Sequence, residues 1–372
     1  MTARSVAGVL LVALLAGAAP AGARAAEAWA VEARDAGLVI TAGGRAVAEY
    51  RFGDDAMRRP GLANLATIGG TPVTRAFPPR EGIDAVDHAA MHPGIWIAFG
   101  DVSGEDFWRN KGTIRHEGFA AGPDVGPDGV RFTARARLLA ADGTPLGRMS
   151  NRVAIVDRPE GRVVAWLSTL EAGAAPLALG DQEEMGFGVR VATGLEEKAG
   201  GRIVNARGAA TAAGTWGREA EWCDTSGDVA GGGRAGITVV ADPDNVRLPW
   251  WHTRDYGLLV ANPFGRAALA KGPPSRVEVA AGGALRLGFA AVLHDGPAGA
   301  PAGDSPAGAP AGAPAGAPAG APAGDDPAGD DPAGDDPAGD DPAGDDPAGA
   351  AARAAAALEV LRAERTAADA AR

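Results

Sequence analysis

Residues 130–138 read VRFTARARL, and this stretch decides the fold class of the chain. Apolar and polar side chains alternate with a period of two, which is the pattern of a β-strand with one buried face. Asp142-Gly143 follows, and this dipeptide is typical of a tight turn between antiparallel strands. The stretch therefore predicts a strand that continues into an antiparallel sheet.

Similar strand patterns extend in both directions from this stretch. Residues 38–40 and 47–50 flank Gly43-Gly44 and predict a hairpin. Further strands are expected at residues 163–170, 185–191, 236–240 and 285–293. Helical periodicity is absent until the last residues, so we expect an all-β domain with roughly fifteen or more strands in one large antiparallel sandwich, in preference to two small domains.

The two ends of the chain differ from this β-rich region. Residues 1–25 have a charged Arg4, an apolar stretch over 6–19 and a small-residue cleavage site at 23–25. These features predict a signal peptide and an exported, periplasmic or extracellular protein, an uncleaved anchor being the alternative. The expected division is a signal peptide at 1–25, a β-sandwich domain at 26–295, a disordered Pro/Ala/Gly/Asp repeat linker at 296–349 and a C-terminal helix at 350–372.

The acidity of the chain is concentrated in the repeat linker. Its eleven aspartates carry most of the formal net charge of −12, since the linker has no Lys or Arg. The rest is nearly neutral, which gives no case for nucleic-acid or membrane binding. The linker lacks apolar residues for a core, and we interpret it as a charged spacer, although its Asp-Asp pairs could collect Ca²⁺ weakly. The C-terminal helix either docks on the domain or simply ends the chain.

The number of cysteines limits how the domain can be stabilised. Cys223 is the only cysteine, so no intrachain disulfide can form and a hydrophobic core must stabilise the domain. Its strand-like surroundings predict a buried, inert thiol.

Residues 87–119 contain the densest group of chemically useful side chains. Three of the five histidines occur here, and glycines place them on turns and strand ends. His88 and His92 could aim at one point and hold a divalent metal with a carboxylate from Glu183 or Glu184. Acid/base or sugar-contacting roles and a structural hydrogen-bonded cluster are the alternatives. No metal or other cofactor is required by the sequence.

Glu183 and Glu184 precede a glycine-flanked strand, and one of them could act as a general base with a histidine as general acid. Ordinary strand-end carboxylates are the alternative.

Trp251 to Asp255 combine an aromatic ring, His252 and a pair of opposite charges. Arg254 beside Asp255 suggests either a salt bridge or a carboxylate-binding group for an acidic sugar. Tryptophans could stack on sugar rings or belong to the core.

Four blocks of sequence together resemble a known bacterial family of unknown function that has been labelled methane oxygenase PmoA. The blocks lie at residues 88–116, 182–188, 222–227 and 251–265, within a resemblance that spans about 35–295. A methane-oxidising membrane subunit would need several membrane spans, and none follows the signal sequence, so we interpret the label as a misannotation. The resemblance implies a β-supersandwich like that of galactose mutarotases and related sugar-processing proteins.

We therefore expect a secreted protein that binds or processes a carbohydrate or another small polar ligand. A non-catalytic envelope or carbohydrate-binding module is the first alternative, and a metal-dependent oxygenase or hydrolase is the second. The expected catalytic residues are His88, His92, His116, Glu183, Glu184 and His252. The expected substrate-binding residues are Trp96, Asp101, Asp106, Trp108, Lys111, Trp251, Arg254, Asp255 and Asn262.

Overall fold

A computed structural model of the chain describes residues 28–52, 57–230, 232–296 and 347–371. The predicted signal peptide and almost all of the predicted repeat linker lie outside these residues. The strands are β1 (Trp29–Arg34), β2 (Gly37–Ala42), β3 (Arg45–Arg51), β4 (Gly61–Ala63), β5 (Ile95–Phe99), β6 (Thr113–Gly126), β7 (Gly129–Leu139), β8 (Pro145–Arg158), β9 (Gly161–Ala172), β10 (Leu177–Leu179), β11 (Met185–Arg190), β12 (Arg202–Asn205), β13 (Trp222–Asp228), β14 (Arg234–Ala241), β15 (Trp250–Arg254), β16 (Leu258–Asn262), β17 (Val277–Val279) and β18 (Ala284–Asp295). The helices are α1 (Ala212–Thr215) and α2 (Pro347–Ala370), and two short 3₁₀ turns lie at Thr193–Leu195 and Glu197–Ala199.

Two eight-stranded sheets enclose the main core. The front sheet has the order β1-β2-β3-β4-β5-β11-β16-β15, and the back sheet has the order β12-β13-β14-β18-β9-β8-β7-β6. Neighbouring strands in both sheets run antiparallel, and β10 and β17 form a separate small ladder. The predicted all-β antiparallel sandwich with a C-terminal helix is thereby confirmed.

The alternation in residues 130–138 appears directly in strand β7. Val130, Phe132 and Leu138 are buried in the core between the sheets, whereas Arg131 and Arg135 lie on the opposite face. The predicted hairpin forms as β2 and β3, and Asp142-Gly143 lies in the turn between β7 and β8. Cys223 is a buried free thiol in β13, as expected, and burial raises its pKa.

Helix α2 docks on the outer face of the back sheet, which answers the question that the sequence left open. Ala354, Ala357 and Leu361 pack against apolar side chains of β8, β9 and β18. Alanines allow close approach of the helix to the strands. Two buried charges anchor the helix as well: Arg353 pairs with Asp224 at 3.3 Å, and Glu364 pairs with arginines of β7 and β8. Within the described residues, no helix is long and apolar enough to cross a membrane.

Candidate functional site

The candidate site lies on the outer face of the front sheet, over strands β5, β11, β16 and β15. Because side chains alternate along β5, Ile95 and Ile97 enter the main core and Trp96 points to the other face. Trp96 lies directly over Gly188 of β11, where an added Cβ would be 2.5 Å from the indole ring. Glycine at 188 therefore permits the close contact on which the site is built.

A buried aromatic layer covers this part of the sheet. His92 is fully buried and stacks on Trp96, with ring centroids 5.1 Å apart and planes 10° apart. The indole N–H of Trp108 donates to His92 Nε2 over 3.3 Å. Burial lowers the pKa of His92 well below its ordinary value. The imidazole is therefore a neutral hydrogen-bond acceptor in an enclosed layer.

This burial concerns three residues that the sequence predicted for the site. His92 was predicted as catalytic, and Trp96 and Trp108 as substrate-binding, yet none of the three is exposed. A loop over residues 81–94 and the turn at residues 106–112 cover the face that would otherwise be open. The side chains of His92, Trp96 and Trp108 therefore lie beneath the accessible surface, where solvent does not reach them.

Replacement of His92 by alanine is expected to lower the free energy of unfolding by about 1–3 kcal/mol, because the buried indole N–H of Trp108 loses its acceptor. Urea unfolding of this variant measures the effect. A matched change on the exposed face of β7, Arg135→Ala, is expected to have little effect. Unchanged stability of His92→Ala would contradict the supporting role of this imidazole.

His88 lies on top of the aromatic layer and is accessible. Its side chain is 45% exposed, and its ring stacks on His92 at 5.1 Å. His88 Nδ1 lies 3.1 Å from Asp87 Oδ2. Because a carboxylate only accepts, Nδ1 carries the proton and Nε2 is left for a ligand. His88 has a φ of 48°, a backbone conformation that costs free energy in a non-glycine residue and occurs often at functional sites.

Asp87 is held by buried arginines beneath it. Arg190, at the end of β11, donates to both carboxylate oxygens at 2.9 and 3.1 Å, and Arg75 contacts one of them at 3.3 Å. The hydrogen bond with His88 is the largest cause that lowers the pKa of Asp87, and Arg190 adds to it. Asp87 is therefore an ionised and rigid partner for the imidazole of His88.

Glu184 is the second titratable side chain that reaches this surface. Its side chain is 13% exposed and pairs with Arg109 at 2.5 Å. Burial raises the pKa of Glu184, while the charges of Arg109 and His88 lie close enough to lower it in part. Asp106 fixes Arg109 by accepting from its backbone N–H and pairing with its guanidinium group at 3.3 Å. Asp106 thus positions Arg109, and the structure shows no more direct role for it.

Glu183 turns to the other side of the same segment and pairs with Arg254 at 3.3 Å. The expected pair of Arg254 with Asp255 is replaced by this longer-range one.

We call the surface formed by Asp87, His88, Arg109, Glu183, Glu184 and Arg254 the polar patch. Three of its side chains, one imidazole and two guanidinium groups, are hydrogen-bond donors, and the other three are carboxylates. The patch therefore offers hydrogen-bond donors and acceptors in similar number.

His252 and Asn262 lie beneath the polar patch and position the glutamates. His252 is 2% exposed, and its Nδ1–H donates to the carbonyl of Glu183 over 3.0 Å. Asn262 is fully buried and donates to the carbonyls of Gln182 and Glu183, at 2.8 Å each. The structure therefore places His252, predicted as catalytic, and Asn262, predicted as substrate-binding, beneath the polar patch, where both fix the backbone that carries Glu183 and Glu184.

The buried imidazole of His252 predicts a pH dependence of stability. Burial lowers the pKa of His252 to about 4 in the folded protein. The imidazole therefore binds a proton more readily in the unfolded chain than in the folded protein, and protonation favours unfolding. Its contribution to stability is fully present above about pH 6.5 and is lost as the pH falls from there toward 4, by on the order of 1 kcal/mol for each pH unit. Urea unfolding of wild type and His252→Asn between pH 7 and 4 measures this loss. A wild-type curve as flat as that of the variant would contradict it.

His116 does not join the other predicted catalytic residues. It lies on β6 and stacks on Phe52 at 3.9 Å, beside Tyr50 and Phe119. Burial lowers its pKa. The structure places His116, predicted as catalytic, away from the polar patch, because β6 is the edge strand of the back sheet.

Four predicted substrate-binding residues also lie outside the polar patch. Trp251 is buried in the main core, and its N–H donates to the carbonyl of Ala220. Asp101 accepts from the backbone N–H of Gly104 in a turn. Lys111 is exposed and lies 3.8 Å from Asp106, and Asp255 is exposed after β15. None of these contacts points to a ligand.

The predicted metal candidates, His88 and His92, have nearly parallel rings, with 28° between their planes. Their nitrogens are therefore not directed at a common point. In the parts of the chain that the structure describes, no group of three or more His, Cys, Asp or Glu side chains could hold a metal ion.

Several important residues escaped the sequence prediction, mainly arginines. Arg59 is buried against Trp96 and Trp108 and donates to the carbonyls of Phe107 and Trp108. Arg190 is also buried, and it lies 4.6 Å from the ring of Tyr256. The sequence did contain a signal for Arg190. It is a charged residue at the end of the apolar run Met185–Arg190, and the alternation of side chains along the strand places it on the outer face.

A sequence-family model described as "Family of unknown function (DUF6807)" matches residues 37–304, and its description mentions no oxygenase. A search of curated proteins finds no match. Similar solved structures include a β-arabinopyranosidase (9% identity, TM-score 0.31, 72% of this chain and 38% of that one) and an α-galactosidase from Lactobacillus brevis (9%, 0.36, 73% and 40%). An aldose epimerase homologue from C. elegans is similar over 73% of this chain and 100% of its own (9% identity, TM-score 0.30).

The chain spans about two fifths of the length of the two glycosidases. At these identities and TM-scores, the likenesses have no bearing on the substrate or reaction of this chain.

Proposed function

The chain belongs to the family of unknown function DUF6807, and from the geometry of its site we propose that it binds a sugar at the polar patch and catalyses acid–base chemistry at the anomeric carbon. The observation that carries this proposal is the pair formed by the Asp87–His88 dyad and the Arg109–Glu184 ion pair on one accessible surface. Two proton-transfer groups with different environments are what such a reaction needs.

The charge balance of the polar patch suits a polyhydroxyl ligand. Arg109 and Arg254 offer planar sets of N–H donors, and Glu183 and Glu184 offer acceptors within the same surface. Sugar hydroxyls both donate and accept, so they can complement such a mixture without introducing net charge.

The proposed roles follow from the two environments. Glu184, whose pKa is raised by burial, acts as general base and removes the proton of the anomeric hydroxyl. His88 enters this step as the imidazolium, protonated on both nitrogens and held through Nδ1 by Asp87. It donates the Nε2 proton to the ring oxygen and becomes neutral. The bond between the anomeric carbon and the ring oxygen breaks, and an open-chain aldehyde forms. The reverse transfers close the ring on either face and restore both groups.

Exchange between the α and β anomers of a reducing sugar tests this function directly. Saturation-transfer proton NMR with galactose, glucose, xylose and arabinose should show faster exchange of at least one sugar with wild-type protein. His88→Asn should reduce the acceleration, and Glu117→Gln, which removes a carboxylate from an ion pair on β6, should not. Binding of a sugar without any accelerated exchange would instead indicate a non-catalytic binding module.

We also propose that the protein is exported, with cleavage after Ala25 or within a few residues of it. The support is the charged start, the apolar stretch of residues 6–19 and the small residues at 23–25. N-terminal sequencing of protein recovered from a bacterial expression host decides this point: a mature protein that still begins at Met1 would contradict it.

A further inference from the structure

A concave surface lies at the edge of the sandwich, near β15 of the front sheet and β12 of the back sheet, both of which contact helix α1. It has a volume of about 840 Å³. Its lining includes Arg207, Arg218, Glu219, Trp250, Arg266 and Lys271. We call it the basic cleft, because its lining has four cationic side chains and one carboxylate.

The cations of the basic cleft are poorly neutralised. Arg207 pairs with Glu221 at 3.3 Å, but in the described residues neither Arg218 nor Lys271 forms an ion pair. Arg266 donates to the carbonyls of Pro273 and Pro274 and has no carboxylate partner among those residues. This local excess of positive charge contrasts with the near-neutral balance of the folded domain as a whole.

One neighbouring cation, Arg247, adds to this positive field, and both Arg247 and Lys271 lie near tryptophan rings. The guanidinium group of Arg247 lies 5.7 Å from the ring of Trp250, and Lys271 lies 5.8 Å from the ring of Trp216. Burial lowers the pKa of Arg247, the nearby charge of Arg266 lowers it further, and the carboxylate of Asp181 raises it in part. The indole N–H of Trp216 is buried and has no hydrogen-bond partner among the described residues. Donors and cations here therefore exceed acceptors.

The basic cleft adjoins the polar patch along strand β15. Trp250, His252 and Arg254 alternate onto one face of this strand, so Trp250 in the basic cleft and Arg254 in the polar patch share a surface. Four residues of extended chain separate them by about 13 Å. A ligand several sugar units long has the length to span this separation.

We propose that the basic cleft binds the acidic units of an anionic saccharide whose end lies in the polar patch. This inference rests on the proposed function, which it extends to a substrate class: oligosaccharides that carry carboxylates, such as uronic acids. The volume is in the range of pockets that hold extended organic ligands and exceeds the need of a single small anion. Arg218 and Lys271 supply the charge-assisted hydrogen bonds to carboxylates.

The test compares acidic saccharides with their neutral methyl esters, which differ in charge and by one methyl group per unit. Tetramers of galacturonate, mannuronate and glucuronate, each with its fully methyl-esterified counterpart, are titrated into the full chain by calorimetry. At least one acid tetramer should bind about tenfold or more tightly than its methyl ester. Binding of none of the acids, or equal binding of each acid and its ester, overturns the proposal.

Variants locate the binding. Arg218→Glu with Lys271→Glu should weaken binding of the acid tetramer by about tenfold or more, and Arg218→Gln with Lys271→Gln should weaken it less. Arg135→Glu, an equal reversal on the exposed face of β7, should leave it unchanged. Circular dichroism confirms that each variant is folded. Undiminished affinity in both double variants would place the acid elsewhere and overturn the proposal.

Two further arms separate this inference from its rivals. A synthetic peptide of residues 325–349, the Asp-Asp repeat, is titrated in the same way. If it binds more tightly than every acid tetramer and loses affinity in the same variants, the cleft recognises an acidic peptide and the saccharide assignment fails. Accelerated anomer exchange without preference for acid tetramers would remove this inference alone, while the reverse result would remove the proposed reaction alone.

Discussion

Glu184→Gln is expected to lower kcat for anomer exchange by about 10²–10⁴-fold, the range typical of losing a general acid or base. Glutamine keeps the size of the side chain and can still accept from Arg109, but it cannot take up the proton of the anomeric hydroxyl. Since contacts with the bound sugar are largely kept, KM should change little. Saturation-transfer NMR at several sugar concentrations separates kcat from KM.

The neighbouring Glu183→Gln variant provides a discriminating comparison. Glu183 is more exposed than Glu184, with 36% of its side chain accessible against 13%, and it pairs with Arg254 instead of Arg109. Because its carboxylate is more exposed to solvent and pairs with a different arginine, we expect a smaller loss of kcat than in Glu184→Gln. Wild-type kcat in Glu184→Gln, or a larger loss in Glu183→Gln, would show that the roles assigned to these carboxylates are wrong.

Arg190→Met is expected to destabilise the fold by about 3–5 kcal/mol, the cost of removing one partner from a buried ion pair. Arg190 is fully buried and contacts Asp87 and Glu196, and Glu196 is itself almost fully buried, with its second partner Lys198 partly exposed. Without Arg190, the carboxylate of Glu196 remains in a low-dielectric environment with one solvent-screened partner. Urea unfolding gives the loss as a shift in the midpoint at constant slope.

A second substitution tests this reason for the loss. Glu196→Leu in the Arg190→Met background removes the stranded carboxylate and should recover part of the stability, because buried ion pairs can often be replaced by apolar residues. Arg135→Met on the exposed face of β7 serves as the control for the change of residue type. No recovery in the double variant would mean that the loss arises from packing against Tyr256 and not from the uncompensated charge.

The fold was predictable because its determinants are local. Three short patterns specify the local backbone conformation or the face of the sheet on which side chains lie. They are the alternation in VRFTARARL, the glycines at 43–44 and the Asp142-Gly143 turn. The alanine-rich C-terminal pattern specified a helix but not its docking place. Docking depends on Asp224 and on apolar side chains of the back sheet, which are distant in sequence from α2.

The site was predictable only in part. The sequence brought His88 and Glu184 into the candidate set, since both belong to polar segments between apolar strands. It could not separate His88 from His92, four residues apart, of which one is accessible and the other fully buried. That difference arises because the turn at residues 106–112, well removed in sequence, covers His92 with Trp108.

The sequence by itself determined the secondary structure, the antiparallel class of the sheets, the buried state of Cys223 and the segments that carry reactive side chains. These properties depend on side-chain periodicity and on residue type, which act over short stretches of chain. The tertiary structure alone decided that Asp87 orients His88, that Arg109 faces Glu184, and that His116 lies elsewhere. Those facts depend on which strands become neighbours and which loops cover them, because burial and charge pairing are set by groups that only folding brings together.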